Sequence, residues 1–171
     1  MKKAGLFSSF CAAILLAALL AGCGYHLSGM SGKMPGEITA LSIPVFSNAT
    51  GKPDIEAALT AAFTTEFAAT VQVSENADAV LQGVIKSYDL QSVSYSKDDV
   101  NQEYRLTLIM SLKMTKKDGT VLWDDDKVTD YWDFAVNSSD ITATKEAESE
   151  AFKKIAKDTA RLVKERMMEK F

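Results

Sequence analysis

The segment "EYRLTLIMSLKMTK" (Glu103–Lys116) alternates apolar and polar residues over most of its length. Successive side chains of a strand point to opposite faces of a sheet, so this period of two predicts a strand with one buried and one solvated face. The residues on the predicted buried face are Tyr104, Leu106, Leu108, Met110, Leu112 and Met114. Those on the other face are Arg105, Thr107, Ser111 and Lys113. The segment therefore predicts a sheet that is covered on one side.

Three further strands are predicted around this one. Two flank it directly, over Ala77–Tyr95 and Thr120–Phe134, and Asp118–Gly119 is a favourable hairpin turn. Another, Glu37–Asn48, opens the domain and is followed by a helix. The last three strands should therefore form an antiparallel meander, whereas the first should lie parallel to the second if the two are adjacent.

Two helices complete the predicted fold. Apolar residues recur at helical spacing from Ile55 to about Ala69, with Pro53 expected in the first turn. A longer helix is predicted over Asp140–Lys170, with Ser138–Asp140 available to cap its start. The order strand-helix-strand-strand-strand-helix predicts an α+β fold, in which both helices pack on one face of a four-stranded mixed β-sheet.

The first 22 residues have the layout of an export signal. Lys2 and Lys3 give a positive start, Ala4–Ala21 is almost wholly apolar, and small residues close the run. Leu20–Cys23 ("LAGC") matches the bacterial lipoprotein signal, in which the cysteine is acylated on sulfur and becomes the new N-terminus. A retained transmembrane helix is the alternative, but the run is barely long enough for a hydrocarbon core of about 30 Å.

These features divide the chain into three parts. We expect residues 1–22 to be a lipoprotein signal peptide, residues 23–36 a lipidated tether and residues 37–171 a single α+β domain. Gly24 stands where an inner-membrane retention signal usually has Asp, which favours the outer membrane by analogy with enterobacterial sorting. The lipid on Cys23 would anchor a periplasm-facing domain to that membrane.

The expected mature chain is acidic. Once Lys2 and Lys3 are removed, 17 lysine and arginine residues stand against 23 acidic ones, a net charge of −6. A nucleic-acid partner is therefore not expected, because nucleic-acid-binding proteins carry a basic surface. General attraction to an anionic membrane is equally disfavoured, so the lipid must supply the membrane affinity.

No residue pattern indicates catalysis. The single histidine, His26, lies in the predicted tether, and no phosphate-binding glycine loop is present. In a strand, the acidic run Asp124–Asp126 would place its middle carboxylate opposite the other two, so we predict a solvated edge or bulge. We expect no catalytic residue, no metal site and no cofactor.

Five segments, spread over nearly the whole expected mature chain, resemble the sequences of a known protein family. They are "CGYHLSG" (23–29), "IPVFSNATGKPDIEAALTAAF" (43–63), "ADAVLQGVIKSY" (77–88), "QEYRLTL" (102–108) and "GTVLW" (119–123). In order and spacing they resemble LptE, the lipopolysaccharide-assembly lipoprotein family. The resemblance implies a small outer-membrane lipoprotein that plugs the lumen of a large β-barrel translocon, assists its assembly and engages lipopolysaccharide. Cys23 would then be the membrane tether of this plug.

The resemblance also implies basic residues that contact anionic lipopolysaccharide. It places one just before the third strand and one at the start of the final helix, most nearly at Lys97 and Lys145. A local basic group can bind phosphate despite the net charge, because charges beyond a Debye length of about 8 Å are largely screened. Further candidates, at polar strand positions or strand ends, are Arg105, Lys113, Lys86 and Lys116. The alternative for each is a solvated surface charge.

A second class of function stays open. "SIPVFSN" (42–48) before a helix also resembles the start of periplasmic lipoproteins that activate cell-wall synthases or form curli-type secretion pores. A barrel plug needs a polar sheet face for the lumen, whereas a pore-former needs oligomer surfaces and membrane-crossing strands. The alternating strand Glu103–Lys116 is compatible with both.

Overall fold

The computed structural model describes residues 33–95, 101–137 and 139–169. The predictions for Cys23, His26 and Lys97 lie outside these residues. Among the described residues, no helix combines the length and the apolar character needed to cross a membrane.

The elements follow the predicted order with two additions. After a short 3-10 turn at Pro35–Glu37 come β1 (Ala40–Ser42), β2 (Ser47–Asn48), α1 (Ile55–Ala68), β3 (Gln72–Val73), β4 (Ala79–Tyr95), β5 (Asn101–Lys116), β6 (Val121–Ala135) and α2 (Ile141–Glu169). The α+β class and the two helices are confirmed. The described sheet has six strands instead of the predicted four.

The additional strands come from the N-terminal half of the domain. The predicted first strand, Glu37–Asn48, is two short strands, β1 and β2, separated by a segment that contains Pro44. Proline has no backbone N–H to donate to a neighbouring strand, so pairing is interrupted there. The other addition, β3, has only two residues, too few to produce a periodic sequence pattern.

The sheet combines parallel and antiparallel pairing, as predicted. The strand order is β3-β1-β4-β5-β6, and β2 also pairs with β4. Both β1 and β2 run parallel to β4, with Leu41 opposite Ala79 and Ser47 opposite Val84. Strands β4, β5 and β6 form the expected antiparallel meander.

The helices cover one face of this sheet. The alternating apolar residues of β5 from Leu106 to Met114 are almost fully buried, as the sequence pattern predicts. The ring of Phe63 in α1 stacks on Phe67 and meets Phe46 edge-on, with ring centroids 6.1 and 5.1 Å apart. The buried face of α2 contributes Ala151, Phe152, Ile155, Ala156, Thr159, Ala160, Val163 and Met167.

The two helices begin differently. The prediction that Pro53 lies in the first turn of α1 is wrong, because Asp54 has a left-handed conformation (φ 65°) and the helix starts after it, at Ile55. The predicted cap of α2 is confirmed at Asp140, whose Oδ1 accepts hydrogen bonds from the backbone N–H groups of Thr142 and Ala143 at 2.9 and 3.0 Å. These bonds satisfy donors that a helix N-terminus otherwise leaves unpaired.

Candidate functional site

The sheet face opposite the helices, here called the open face, is built by the long strands β4, β5 and β6. These strands have 17, 16 and 15 residues, and every second side chain of each points away from the core. Charged residues of both signs lie on this face: Lys86, Asp89, Arg105, Lys113, Asp124, Asp126 and Asp133. The predicted solvated face of β5 is thus part of a broad polar surface.

Arg105 lies on the open face in a bidentate ion pair. Its Nε and Nη2 donate to the two carboxylate oxygens of Asp133 at 2.7 and 2.8 Å. Its guanidinium also lies 4.4 Å from the ring centroid of Tyr131. Hydrogen bonding to Asp133 raises the pKa of Arg105, and the same bonds lower the pKa of Asp133. A ligand phosphate would have to compete with Asp133 for this guanidinium.

Lys113 has a different environment. It lies in a cross-strand row between Gln82 of β4 and Asp124 of β6. No hydrogen bond or ion pair engages its side chain within the described part of the chain. The row forms part of a shallow depression of about 470 Å³, whose lining also includes Val84, Ser111, Leu112 and Asp126.

Two bulges bound this depression. In β4 the pairing register shifts between Ile85 and Ser87, at Lys86, and in β6 it shifts between Asp125 and Val128. The Lys86 ammonium donates to the backbone carbonyl of Asp126 at 2.8 Å, across the intervening strand. A solvated edge or a bulge is predicted at the acidic run, and the register shift in β6 confirms the bulge.

The three aspartates of that run separate as predicted. Asp125 lies on the helix side, where its carboxylate accepts a hydrogen bond from Arg166 of α2 at 3.3 Å. Asp124 and Asp126 both line the depression on the open face. No cluster of histidine, cysteine and acidic residues in ranges 33–95, 101–137 and 139–169 could hold a metal ion.

The other two lysines occupy element ends. Lys116 is half-buried at the end of β5, where its backbone N–H donates to the carbonyl of Thr120 at 2.9 Å and closes the hairpin. Lys145 is exposed near the start of α2. Lys145 is thus available to a ligand in solution, whereas the backbone of Lys116 has a structural role.

Lys145 lies beside a cluster that joins α2, β4 and the loop before α1. Glu148 of α2 accepts hydrogen bonds from Lys52 at 2.7 Å and from Tyr88 of β4 at 2.6 Å. Burial alone would raise the pKa of Glu148, but the bonds from Lys52 and Tyr88 and the charges of Lys52 and Lys145 lower it. Burial and the bond to Glu148 raise the pKa of Tyr88.

Sequence reasoning missed the partners of these residues. Nothing in the sequence singles out Asp133 for Arg105 or Glu148 for Tyr88, because 28 and 60 residues separate the pairs. The hairpin turn at Asp118–Gly119 would not by itself have found Asp133, because two register shifts between β5 and β6 move the partner of Arg105 from Tyr131 to Asp133.

The comparisons with known proteins bear on the domain as a whole. A family model described as LptE, lipopolysaccharide-assembly, matches residues 38–167. The matched range contains every strand and nearly all of α2. The comparison with curated proteins finds no match.

Solved structures share the fold at low sequence identity. Rare lipoprotein B from Shewanella oneidensis is 14% identical, with a TM-score of 0.50 over 77% of this chain and 92% of that one. Lipoprotein B from Nitrosomonas europaea, described as uncharacterized, is 16% identical, with a TM-score of 0.50 over 85% of this chain and 90% of that one. At these identities the similarity concerns the fold.

Proposed function

Because the chain belongs to the LptE family of lipopolysaccharide-assembly proteins, we propose that it plugs the lumen of a β-barrel lipopolysaccharide translocon and assists its assembly. The chain is an envelope lipoprotein with a role in lipopolysaccharide assembly. In the proposal, acylated Cys23 holds it to the outer membrane on the periplasmic side. It binds lipopolysaccharide during insertion into the outer leaflet and catalyses no reaction.

The observation that carries this proposal is the one-sided covering of the sheet. The helices bury one face, while the open face carries mostly polar and charged side chains along three strands of 15 to 17 residues. The lumen of a membrane β-barrel is polar, so a polar protein face is compatible with it. We propose that the open face is turned toward the lumen through which lipopolysaccharide passes.

Basic side chains would supply direct contacts to lipopolysaccharide. Lys145 and Lys113 are exposed, and neither has a hydrogen bond or ion pair to a described residue. Arg105 would first have to exchange Asp133 for a ligand oxygen. We therefore place Lys145 ahead of Arg105 as a phosphate contact, keep Lys113 as a contact to lipopolysaccharide on the open face, and retain Lys97 on the family resemblance.

Co-purification tests the plug. The full-length tagged chain, extracted from outer membranes in mild detergent, should bring down one β-barrel protein of much larger mass. Recovery of a ring of identical subunits without a barrel would instead favour the pore-forming alternative. A Cys23→Ser variant distinguishes the contribution of the lipid anchor from that of the folded domain.

Photo-crosslinking in cells tests the direction of the open face. A photoreactive residue at Thr129, which is exposed on the open face of β6, should form an adduct with lipopolysaccharide. The matched control is Ser149, which is exposed on α2. Lipopolysaccharide adducts from Ser149 but not from Thr129 would contradict the proposed orientation.

A further inference from the structure

We propose that the depression on the open face binds the hydroxyl-rich saccharide part of lipopolysaccharide rather than its phosphates. This inference rests on the proposed function and names the part of the ligand that the depression takes. The residues involved are Gln82, Ser111, Lys113, Asp124 and Asp126.

The lining combines hydrogen-bond donors with acceptors. The Gln82 amide and the Ser111 hydroxyl can each donate and accept, Lys113 donates, and the carboxylates of Asp124 and Asp126 accept. Within the described ranges, no hydrogen bond or ion pair joins any of these five side chains to another protein group. Sugar hydroxyls both donate and accept, so one sugar ring could engage several of these groups.

The charges of the depression disfavour phosphate. Lys113 stands directly opposite Asp124 across β5 and β6, and Asp126 lies beyond them. The nearby Lys86 ammonium is already bound to a backbone carbonyl. A phosphate that approached Lys113 would meet two carboxylates of like charge, whereas a hydroxyl can donate to a carboxylate and form a charge-assisted hydrogen bond.

The shape of the depression is also compatible with a saccharide. Its volume of about 470 Å³ lies within the range of about 300–1,000 Å³ that is usual for small-molecule sites. Val84, with 38% of its surface exposed, provides an apolar contact for the C–H face of a sugar ring. The residues sit on paired strands of a sheet, so the backbone needs little ordering when a ligand binds.

Calorimetric titration tests the inference with the full mature lipoprotein in detergent. The probes are intact lipopolysaccharide, the oligosaccharide released from it by mild acid and then dephosphorylated in a separate step, and inorganic phosphate. The test variant combines Lys113→Gln with Asp124→Asn. The control variant combines Lys157→Gln with Glu146→Gln, which removes the same charges from exposed positions of α2.

We expect the oligosaccharide to bind the wild type and the control equally, and to bind the test variant at least about tenfold more weakly. Inorganic phosphate should not displace it. Unchanged oligosaccharide affinity in the test variant would overturn the inference. Asp126→Asn alone provides a second, milder variant, and thermal melts verify that each variant is folded.

Two outcomes distinguish this inference from the proposed function. If intact lipopolysaccharide binds but the oligosaccharide does not, the saccharide assignment is wrong and the proposed function stands. If the oligosaccharide fails to bind and the test variant instead loses the barrel partner on co-purification, the depression is a protein contact and the inference is overturned.

Discussion

The ring of Phe46 packs directly against the backbone of Gly83, so that a β-carbon built on Gly83 would lie 2.8 Å from the ring. Gly83→Ala should therefore lower the free energy of unfolding by about 1–3 kcal/mol, the usual cost of overpacking a core. Urea denaturation measures the difference. Gly51→Ala is the matched control, because a β-carbon at Gly51 would have no neighbour within 4 Å. Equal stability of the two variants would contradict the packing described.

The two faces of β5 should respond differently to truncation. Leu108 is 1% exposed, so Leu108→Ala should cost about 2–5 kcal/mol of unfolding free energy. Arg105→Ala should cost less than about 1 kcal/mol, because Arg105 and Asp133 are about 40% exposed and solvent weakens their ion pair. Denaturant melts of the two variants provide the comparison, and similar losses would refute the assigned facing.

The contacts of Glu148 with Lys52 and Tyr88 should make the free energy of unfolding depend on pH. The folded-state pKa of Glu148 lies below its ordinary value, so its carboxylate stabilises the fold above that value and ceases to do so as the pH falls through the folded-state pKa. Glu148→Gln should therefore be less stable than the wild type at about pH 7, and the difference should shrink by about pH 3. Glu146→Gln is the control. A stability difference between Glu148→Gln and the wild type that does not change with pH would contradict the expectation.

The lipoprotein signal predicts the fate of Cys23. Cys23→Ser should prevent acylation and leave the precursor uncleaved or mislocalised, because the modified sulfur is required for processing. Mass spectrometry of the protein extracted from membranes measures the modification. An unmodified Cys23 at the mature N-terminus of the wild type would rule out this role.

The implied phosphate contacts can be tested by charge reversal. Replacing Lys97 and Lys145 together by Asp should weaken lipopolysaccharide binding, and the remaining binding should depend less on salt, because fewer charge-assisted contacts are left to screen. Binding is titrated at two salt concentrations, with circular dichroism as the folding control. Replacing Lys127 and Lys157 together by Asp makes the same charge change elsewhere. An unchanged affinity and salt response would move the lipopolysaccharide site to the open face, at Arg105 and Lys113.

Much of the fold is predictable because long strands and helices repeat their pattern many times. β5 alternates over most of its 16 residues and α2 repeats its apolar positions along its 29, so the faces and the ends of both could be placed closely. The strands β1, β2 and β3 have only two or three residues each. Whether such short segments form strands depends more on pairing with their neighbours than on their own sequence. The interruption at Pro44 could have been predicted from the sequence, since proline cannot donate a backbone hydrogen bond to a neighbouring strand.

The candidate site was predictable only in part. Alternation along β5 places Arg105 and Lys113 on one face, and the structure confirms that placement. It cannot distinguish an arginine held by Asp133 from a lysine that has no ion pair with a described residue, because that difference depends on the register of β6 and on the bulge after Asp125. Register and bulges are set by contacts between strands, which a single periodic segment does not encode.

The parallel pairing of β1 with β4 has a consequence for the order in which the domain folds. Leu41 meets Ala79 across a crossover that contains all of α1, whereas β4, β5 and β6 join their neighbours through short connections. Closing a long loop costs more chain entropy than closing a hairpin, so non-local pairings form more slowly. We therefore expect the meander to assemble first and to serve as the template on which the N-terminal strands dock. Strands β1 and β2 would then be among the last parts of the domain to become fixed.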